Sequence, residues 1–289
     1  MATRTSTLLM SRIGLGRALR RLRDDNDMTI AEVAAKLRCD ESLISRIETG
    51  KRPCSHIHFS RLMTLYEAPE PEREKLAQLH AETRERRQPW WSQYSDIISA
   101  NYERFLAFED AAERVLEFQF GLLPGLLQTE GYARAVTGVG FDSLGPDQVD
   151  GLVEVRMVRQ RKRLHDTTRP LVCMYVVTQA ALEFQVGGRE VHRQQLGHLL
   201  ELSDHERVAI QVIPYEKGEE GCQIGGFMIF EFPGDMPEVA FGESVAGNAV
   251  LDDPRDLRRM RRLHRGLTAV ALSESDTKSL IMRTRDRRN

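Results

Sequence analysis

The chain has 289 residues, of which 41% are hydrophobic and 29% are charged, and this ordinary globular composition predicts about two domains. No apolar run approaches the roughly 20 residues that a transmembrane helix needs, so we expect a cytoplasmic location and no membrane partner. The cysteines are widely spaced and include no CxxC pair, which argues against a disulfide framework or a zinc knuckle. They are Cys39, Cys54, Cys173 and Cys222.

Charge is distributed unevenly along the chain. The first 68 residues carry 12 Lys and Arg against 8 Asp and Glu, a net charge of +4. Because the whole chain carries −2, the remaining residues together carry −6. A basic head followed by an acidic body is typical of proteins that contact nucleic acid at one end only.

Apolar residues at helical spacing predict two helices near the N-terminus. The first begins near Ile13, and its inward face repeats at i, i+3, i+4 and i+7. The residues of that face are Leu15, Ala18, Leu19 and Leu22. Thr29 is placed to cap the second helix, with Glu32 as the reciprocal acid of a capping box. The second helix repeats the apolar spacing with Ile30, Val33, Ala34 and Leu37.

A third short helix follows a tight turn, an arrangement typical of a helix-turn-helix that presents its second helix to the major groove of DNA. Asp40 is placed as the N-cap, Ile44 and Ile47 face inward, and Gly50 suits a left-handed C-cap. The side chains predicted to read base edges are Glu41, Ser42, Leu43, Ser45 and Arg46. Those assigned to phosphates, which position the protein without specifying sequence, are Thr29, Arg17, Lys51 and Arg52.

This segment resembles the DNA-binding domain of Xre-class regulators, with a lambda-repressor-like fold of about five helices. The residues that carry the resemblance are Thr29, Ala31, Glu32, Ala34, Ile44, Ser45, Ile47, Glu48 and Gly50. The resemblance implies a structural ion pair between Arg23 and Glu48. Two positions depart from the family pattern. Ile30 stands where the family usually has a phosphate-contacting Gln, and Arg38 stands in the turn where Gly is common, so a positive φ would be costly there.

The second part of the chain has a mixed pattern of helices and strands. Aromatic and apolar residues from Ile97 predict helices up to about Glu117, another helix restarts near Thr129, and a long one covers residues 146–164. Segments rich in β-formers and bounded by Gly, Pro or Asp predict strands at residues 170–177, 208–214, 226–232 and 238–243. Further helices are predicted at residues 190–202, 254–272 and 274–287.

Two domains follow from these elements. Proline residues after the fourth helix, and a charged fifth helix at about residues 72–87, place the boundary between residues 1–88 and 89–289. We therefore predict an all-α N-terminal helix-turn-helix domain of about five helices, followed by an α+β C-terminal domain with a small sheet flanked by helices.

The second domain resembles the C-terminal domain of actinobacterial WhiJ-like Xre regulators. Segments that carry the resemblance are the paired tryptophans, LLPGLLQTEGYARA at residues 122–135, Arg-Gln-Arg at 159–161 and IQVIP at 210–214. In that family the gene often lies beside one for a small partner protein, in an antitoxin-like arrangement. The partners implied are a double-stranded DNA operator, a second copy of the chain in a homodimer, and a small acidic protein encoded nearby.

Two functions stay open at this point. One is a sequence-specific transcription regulator whose second domain binds a small partner protein or ligand that modulates DNA binding. The other is an antitoxin-like protein that mainly binds a cognate small protein, with DNA binding serving autoregulation. The side chains proposed for a ligand or partner surface are Trp90, Trp91, Tyr94, Tyr132 and Arg159. For the tryptophans a core role is favoured over a pocket, and for the basic run at residues 159–163 a solvated face is favoured over a binding surface.

Enzymatic and metal-binding signatures are absent from the sequence. There is no nucleophile elbow, zinc-protease motif, P-loop or dinucleotide fingerprint, so we expect no catalytic residues and no cofactor. The closely spaced Cys54, His56 and His58 fit a helix-entry loop better than a metal site. The histidines that lie on or near one helix lack the i, i+4 spacing of a shared metal ligand set; they are His192, His198 and His205.

Overall fold

The computed structural model describes residues 6–83, 89–140, 144–165, 170–221, 225–234, 236–243 and 249–287. Contacts between Cα atoms divide the chain into two compact units, Met1–Ser92 and Gln93–Asn289. This division falls four residues after the boundary predicted from the sequence. Cys222 and the end of the predicted fifth helix, residues 84–87, lie outside the described residues.

The first unit contains five helices around one apolar core. They are α1 (Ser6–Asp25), α2 (Ile30–Leu37), α3 (Glu41–Glu48), α4 (His56–Leu65) and α5 (Glu70–Glu82). The core includes Leu19, Val33, Ile44 and Leu62. The first helix begins well before the predicted start near Ile13, because Met10 continues its buried face by another turn. The prediction of an all-α N-terminal domain of about five helices is confirmed.

The second unit is built on a six-stranded mixed sheet. Its strands are β1 (Arg114–Gln119), β2 (Val172–Thr178), β3 (Val208–Ile213), β4 (Phe227–Glu231), β5 (Val239–Gly242) and β6 (Ala249–Leu251). Their spatial order is β3-β2-β1-β4-β5-β6. The first three strands run parallel, and β4, β5 and β6 add antiparallel partners. The predicted α+β fold is confirmed.

Helices supply the crossovers between the parallel strands and the layers on the sheet. They are α6 (Ala100–Ala111), α7 (Glu130–Gly140), α8 (Pro146–Gln160), α9 (Gln179–Glu183), α10 (Gly188–Leu202), α11 (Gly218–Gly221), α12 (Pro254–Val270) and α13 (Glu274–Asp286). The chain passes through α7 and α8 between β1 and β2, and through α9 and α10 between β2 and β3. Parallel pairing requires such long crossovers.

The prediction of helices up to Glu117 is wrong. Helix α6 ends at Ala111, and β1 begins at Arg114 in the centre of the sheet. Val115 to Gln119 are all buried, because β1 has a strand on each side and helices on both faces. An apolar run of this length does not distinguish a buried strand from a helix by its periodicity. The three-residue strand β6 was also not predicted.

The two faces of the sheet have different coverings. Leu116 and Phe118 of β1 join a core cluster that includes Leu257 and Leu267 of α12. The opposite face is covered by α6, whose Phe105 ring lies 5.6 Å from Phe230 on β4. Because side chains alternate along a strand, Val115, Glu117 and Gln119 point toward the α6 face. Two polar side chains of the central strand are therefore held on a buried face.

None of the helices in the described ranges combines the length and the apolarity that a membrane crossing requires.

Candidate nucleic-acid interface

Local hydrogen bonds fix the start of α2. The Thr29 hydroxyl accepts the Glu32 N–H at 3.2 Å, and the Thr29 N–H donates to the Glu32 carboxylate at 2.7 Å. The Glu32 carboxylate also accepts the Thr29 hydroxyl at 2.9 Å, and the two hydrogen bonds that this carboxylate accepts from Thr29 lower the pKa of Glu32. The reciprocal pair is a capping box, which satisfies donors that a helix N-terminus otherwise leaves unpaired.

The turn between α2 and α3 contains a strained arginine. Arg38 adopts φ 54° and ψ 52°, the left-handed region that the sequence analysis identified as costly. The conformation lets the N–H of Cys39 reach the carbonyl of Ala34 at 3.0 Å and close the helix. The left-handed conformation costs a non-glycine residue roughly 1–2 kcal/mol. The packing of α3 against the core compensates for that cost.

Two glycines permit the close approach of α1 to the end of α3. A Cβ at Gly16 would lie 2.4 Å from the Ile47 carbonyl oxygen. Gly50 has φ 69°, and a Cβ there would lie 2.7 Å from Cγ1 of Ile13. Any larger residue at either position would push the helices apart. The sequence indicated Gly50 as a cap, whereas the role of Gly16 was missed because it depends on tertiary contact.

Arg23 and Glu48 meet in the interior of the first unit. The Arg23 Nε donates to Glu48 Oε1 at 2.7 Å, and Nη2 donates to Oε2 at 3.0 Å. The third nitrogen, Nη1, donates to the Asp24 carboxylate at 2.6 Å and to the Met28 carbonyl at 2.8 Å. The hydrogen bond to Glu48 is the main cause that raises the Arg23 pKa. One guanidinium therefore joins α1, the loop before α2, and the C-terminal end of α3.

The side chains predicted to read bases lie on α3, whose opposite face is buried through Ile44 and Ile47. Glu41, Ser42 and Arg46 are exposed, and Ser45 is half-buried. Leu43 is also half-buried and packs against the core, so only part of its surface is available for a thymine methyl group. The accessible face of the helix is therefore polar.

Arg46 is held in place by the preceding turn of its own helix. Its Nε donates to the Ser42 carbonyl at 2.9 Å, and its Nη2 donates to the Ser42 hydroxyl at 2.8 Å. These bonds occupy the Nε side of the guanidinium. The Nη1–Nη2 edge is the one suited to a bidentate contact with guanine O6 and N7. Asp40 caps the same turn by accepting the Ser42 N–H at 2.7 Å.

The residues assigned to phosphates occupy different environments. Lys51 and Arg52 are exposed directly after α3, and Arg17 on α1 is half-buried. Thr29 is exposed but its hydroxyl is engaged in the capping box. Ile30, which replaces the family's Gln, packs partly against the core and presents no polar group to a phosphate.

The closely spaced Cys54, His56 and His58 do not converge. Cys54 is buried, and burial raises the pKa of its thiol to about 12. His58 Nδ1 lies 2.7 Å from the Ser55 hydroxyl at the start of α4. Within the part of the chain that the structure describes, no three Cys, His, Asp or Glu side chains are grouped as metal ligands.

The side chains proposed for a ligand or partner surface in the second domain are mostly buried. Trp91 and Tyr94 are buried in the 3₁₀ segment Trp90–Tyr94, and Trp90 is half-buried. Tyr132 is fully buried, with its hydroxyl accepting the Leu123 N–H at 3.2 Å. Trp91, Tyr94 and Tyr132 therefore present little surface to solvent, and the ligand or partner role of the set stays a prediction.

The prediction of a solvated basic face at residues 159–163 is wrong for two of its arginines. Arg159 and Arg163 are buried, whereas Arg161 and Lys162 are exposed. Arg159 donates from Nε and Nη2 to Glu109 on α6, at 2.8 and 2.5 Å. Burial is the largest single cause and lowers the Arg159 pKa, but the charges of Glu109 and Tyr102 and the hydrogen bonds to both together outweigh burial, so the net direction is upward. A paired carboxylate is what allows this arginine to be buried.

Two family comparisons match the two units. A family described as a helix-turn-helix domain matches residues 14–76. A family described as a domain of unknown function (DUF5753) matches residues 102–283, which is more than half of the chain. The chain therefore belongs to this second family. No curated protein and no solved structure matches it. The helix-turn-helix match and the capped α2–α3 pair together indicate the DNA-binding domain of a regulator.

Proposed function

We propose that the chain is a sequence-specific transcription regulator of the Xre class and WhiJ-like type, acting as a homodimer without enzymatic activity. Helix α3 enters the major groove, and the second unit binds a ligand or small partner protein that modulates DNA binding. Two copies related by a two-fold axis would then contact half-sites about one helical turn apart, ~34 Å.

The exposed polar face of α3 is the observation that carries this proposal. The N-cap at Asp40 and the buried ion pair at Glu48 fix both ends of the helix. Arg46 is already oriented by Ser42, so less side-chain entropy is lost when it contacts a base. Lys51 and Arg52 lie where a phosphate backbone flanking the groove would pass.

An antitoxin-like role is the alternative proposal. In it, the second unit mainly binds a small cognate protein, and DNA binding serves autoregulation. The exposed aromatic rings of Phe120, Phe184 and Tyr215 on the second unit favour a protein partner, since large apolar groups are enriched at interfaces. Both proposals require the same docking of α3 on DNA.

Replacing Arg46 by alanine is expected to weaken binding to the specific operator by roughly 1–3 kcal/mol, with little effect on unrelated DNA. Lys51→Ala should instead weaken binding to all sequences alike and lower the salt dependence, because it removes a phosphate contact. Gel-shift titrations with operator and scrambled duplexes at several salt concentrations measure both effects.

Arg73→Ala on α5 serves as the control, because it removes the same charge outside the predicted interface. Its affinity for the operator should be close to that of the unmodified chain. Unchanged operator affinity in Arg46→Ala would refute the proposed docking.

A further inference from the structure

A cavity of about 180 Å³ lies on the α6 face of the sheet, beside the 3₁₀ segment Gly125–Leu127 and α8. One ordered water needs roughly 10–15 Å³ of such volume, so the cavity has room for a solute of amino-acid size. Part of its lining is apolar, with Phe105, Leu123, Val136 and Met228. The remainder is polar: Glu117 and Glu243 come from β1 and the residue after β5, whereas Arg156 and Arg159 come from α8.

Two carboxyl groups and one amide form the acidic part of the wall. Gln119 uses its Nε2 to donate to Glu117 at 3.0 Å and to Glu243 at 2.9 Å. Among the residues that the structure describes, no other donor reaches either carboxyl group. Glu117 is only 6% exposed, and a buried carboxyl group with a single donor is poorly satisfied. Both acids can therefore accept hydrogen bonds from a ligand.

Arg156 and Arg159 form the basic part of the wall, and only one has a matching carboxylate. Arg159 is paired with Glu109 and also donates to the Tyr102 hydroxyl at 3.1 Å. The half-buried Arg156 instead donates to the neutral amide oxygen of Gln128 and interacts with the Tyr102 hydroxyl, and its Nε has no hydrogen-bond partner in the described part of the chain. Burial lowers the pKa of Arg156. A desolvated cation without a carboxylate is costly and favours an anionic ligand group.

We propose that this cavity binds a small zwitterion, an α-amino acid with an apolar side chain. Its ammonium group would contact the carboxylate of Glu243 and donate to the carbonyl oxygen of the protonated carboxyl group of Glu117. Its carboxylate would contact Arg156, and its side chain would lie against Phe105 and Met228. Charge-assisted hydrogen bonds at both ends would fix its orientation. The modulation of DNA binding by this ligand rests on the proposed function, whereas the binding itself is measurable without DNA.

A glycine leaves room for the Glu243 carboxylate at the acidic end of the cavity. Gly226 precedes β4, and a Cβ at that position would lie 2.5 Å from Oε2 of Glu243. A side chain there would displace the carboxylate that Gln119 positions. The absence of a side chain at this point keeps the acidic end of the cavity accessible.

The proposal is tested with the full chain and the twenty common L-amino acids as probes, first by thermal shift and then by isothermal titration calorimetry. At least one apolar amino acid should bind with one-to-one stoichiometry. Its amide, which lacks the carboxylate, and its N-acetyl derivative, which lacks the ammonium group, should each bind at least tenfold more weakly. The proposal is overturned if no amino acid binds, or if both derivatives bind as tightly as the parent.

Variants locate the site. Arg156→Met and Glu243→Gln should each weaken binding at least tenfold, whereas Arg161→Met, an exposed arginine just beyond α8, should not change it. Gly226→Ala provides an independent change at the acidic end should Arg156→Met fail to fold. Full affinity in folded Arg156→Met, or in folded Glu243→Gln, would overturn the assignment. Operator affinity of the ligand-free chain, measured on the same samples, tests the proposed function separately.

Discussion

Glu48→Met is expected to destabilise the packing of α1 against α3 by roughly 3–5 kcal/mol, the cost of leaving one partner of a buried ion pair behind. Arg23 is 8% exposed and would lose both hydrogen bonds to Glu48. Asp24 would remain, but that carboxylate is exposed and compensates little of the buried charge. Because α3 presents the base-reading residues, operator binding should weaken along with stability.

Hydrogen–deuterium exchange of the full chain measures this effect locally, through the opening of peptides from α1 to α3. The double variant Arg23→Met/Glu48→Met should be much less destabilised than the sum of the two single variants, since it leaves no buried charge. Arg20→Met is the matched control, because the Arg20–Asp24 pair is exposed and 3.8 Å long. If the α1 to α3 peptides of Arg23→Met and Glu48→Met exchanged their amide hydrogens as slowly as those of the unmodified chain, the Arg23–Glu48 pair would have no structural role.

Glu117→Gln is expected to stabilise the second unit increasingly as pH rises. Burial raises the pKa of Glu117 from an ordinary 4.5 to about 8, and the nearby charge of Glu243 contributes in the same direction. Gln119 and Arg159 act in the opposite direction but do not outweigh burial, and Glu109 adds a smaller upward contribution. Glutamine has nearly the same shape and keeps an oxygen that can accept the Gln119 hydrogen bond.

The direction of the pH effect follows from proton binding in the two states. Below pH 4.5 the carboxyl group is protonated in both the folded and the unfolded chain, so it does not make the free energy of unfolding depend on pH. As pH rises toward 8, only the unfolded chain releases the proton, so stability falls by at most ~1.4 kcal/mol per pH unit. Above that pH the full cost of burying the charged carboxylate remains, on the order of 5 kcal/mol.

Scanning calorimetry of the ligand-free chain from pH 5 to 9 tests this expectation. The difference in melting temperature between Glu117→Gln and the unmodified chain should grow up to about pH 8 and then level off. The exposed Glu206→Gln serves as the control and should show no such growth. A constant difference across the range would mean that Glu117 titrates alike in the folded and unfolded chains.

Sequence reasoning identified the features of the first unit that depend on local chemistry. The capping box at Thr29 and the N-cap at Asp40 each involve residues within four positions of one another. The cost of a positive φ at Arg38 was inferred instead from the family's preference for Gly in the turn. Helical periodicity gave the inward faces of α1 to α3 for the same reason. The pairing of Arg23 with Glu48 came instead from a family resemblance, because nothing local links residues in separate helices.

The second unit was harder to predict because its contacts are distant in sequence. Strand β1 pairs with β2 and β4, which lie far along the chain, so the contacts that bury both of its faces cannot be inferred from its own segment. Glu117 and Gln119 alternate with Leu116 and Phe118, and this period of two was the available signal. Their partner Glu243 is 124 residues from Gln119 in the sequence. The cavity could therefore not be predicted from patterns of neighbouring residues.

The central claim is that α3 reads the operator from the major groove, and methylation interference on a mapped operator tests it most directly. Methyl groups on guanine N7 lie in the major groove, whereas those on adenine N3 lie in the minor groove. We expect methylated guanines in two half-sites, about one helical turn apart, to block binding, and Arg46→Ala to remove the effect of one guanine in each half-site. Interference confined to adenine N3, or a guanine pattern unchanged in Arg46→Ala, would contradict the account.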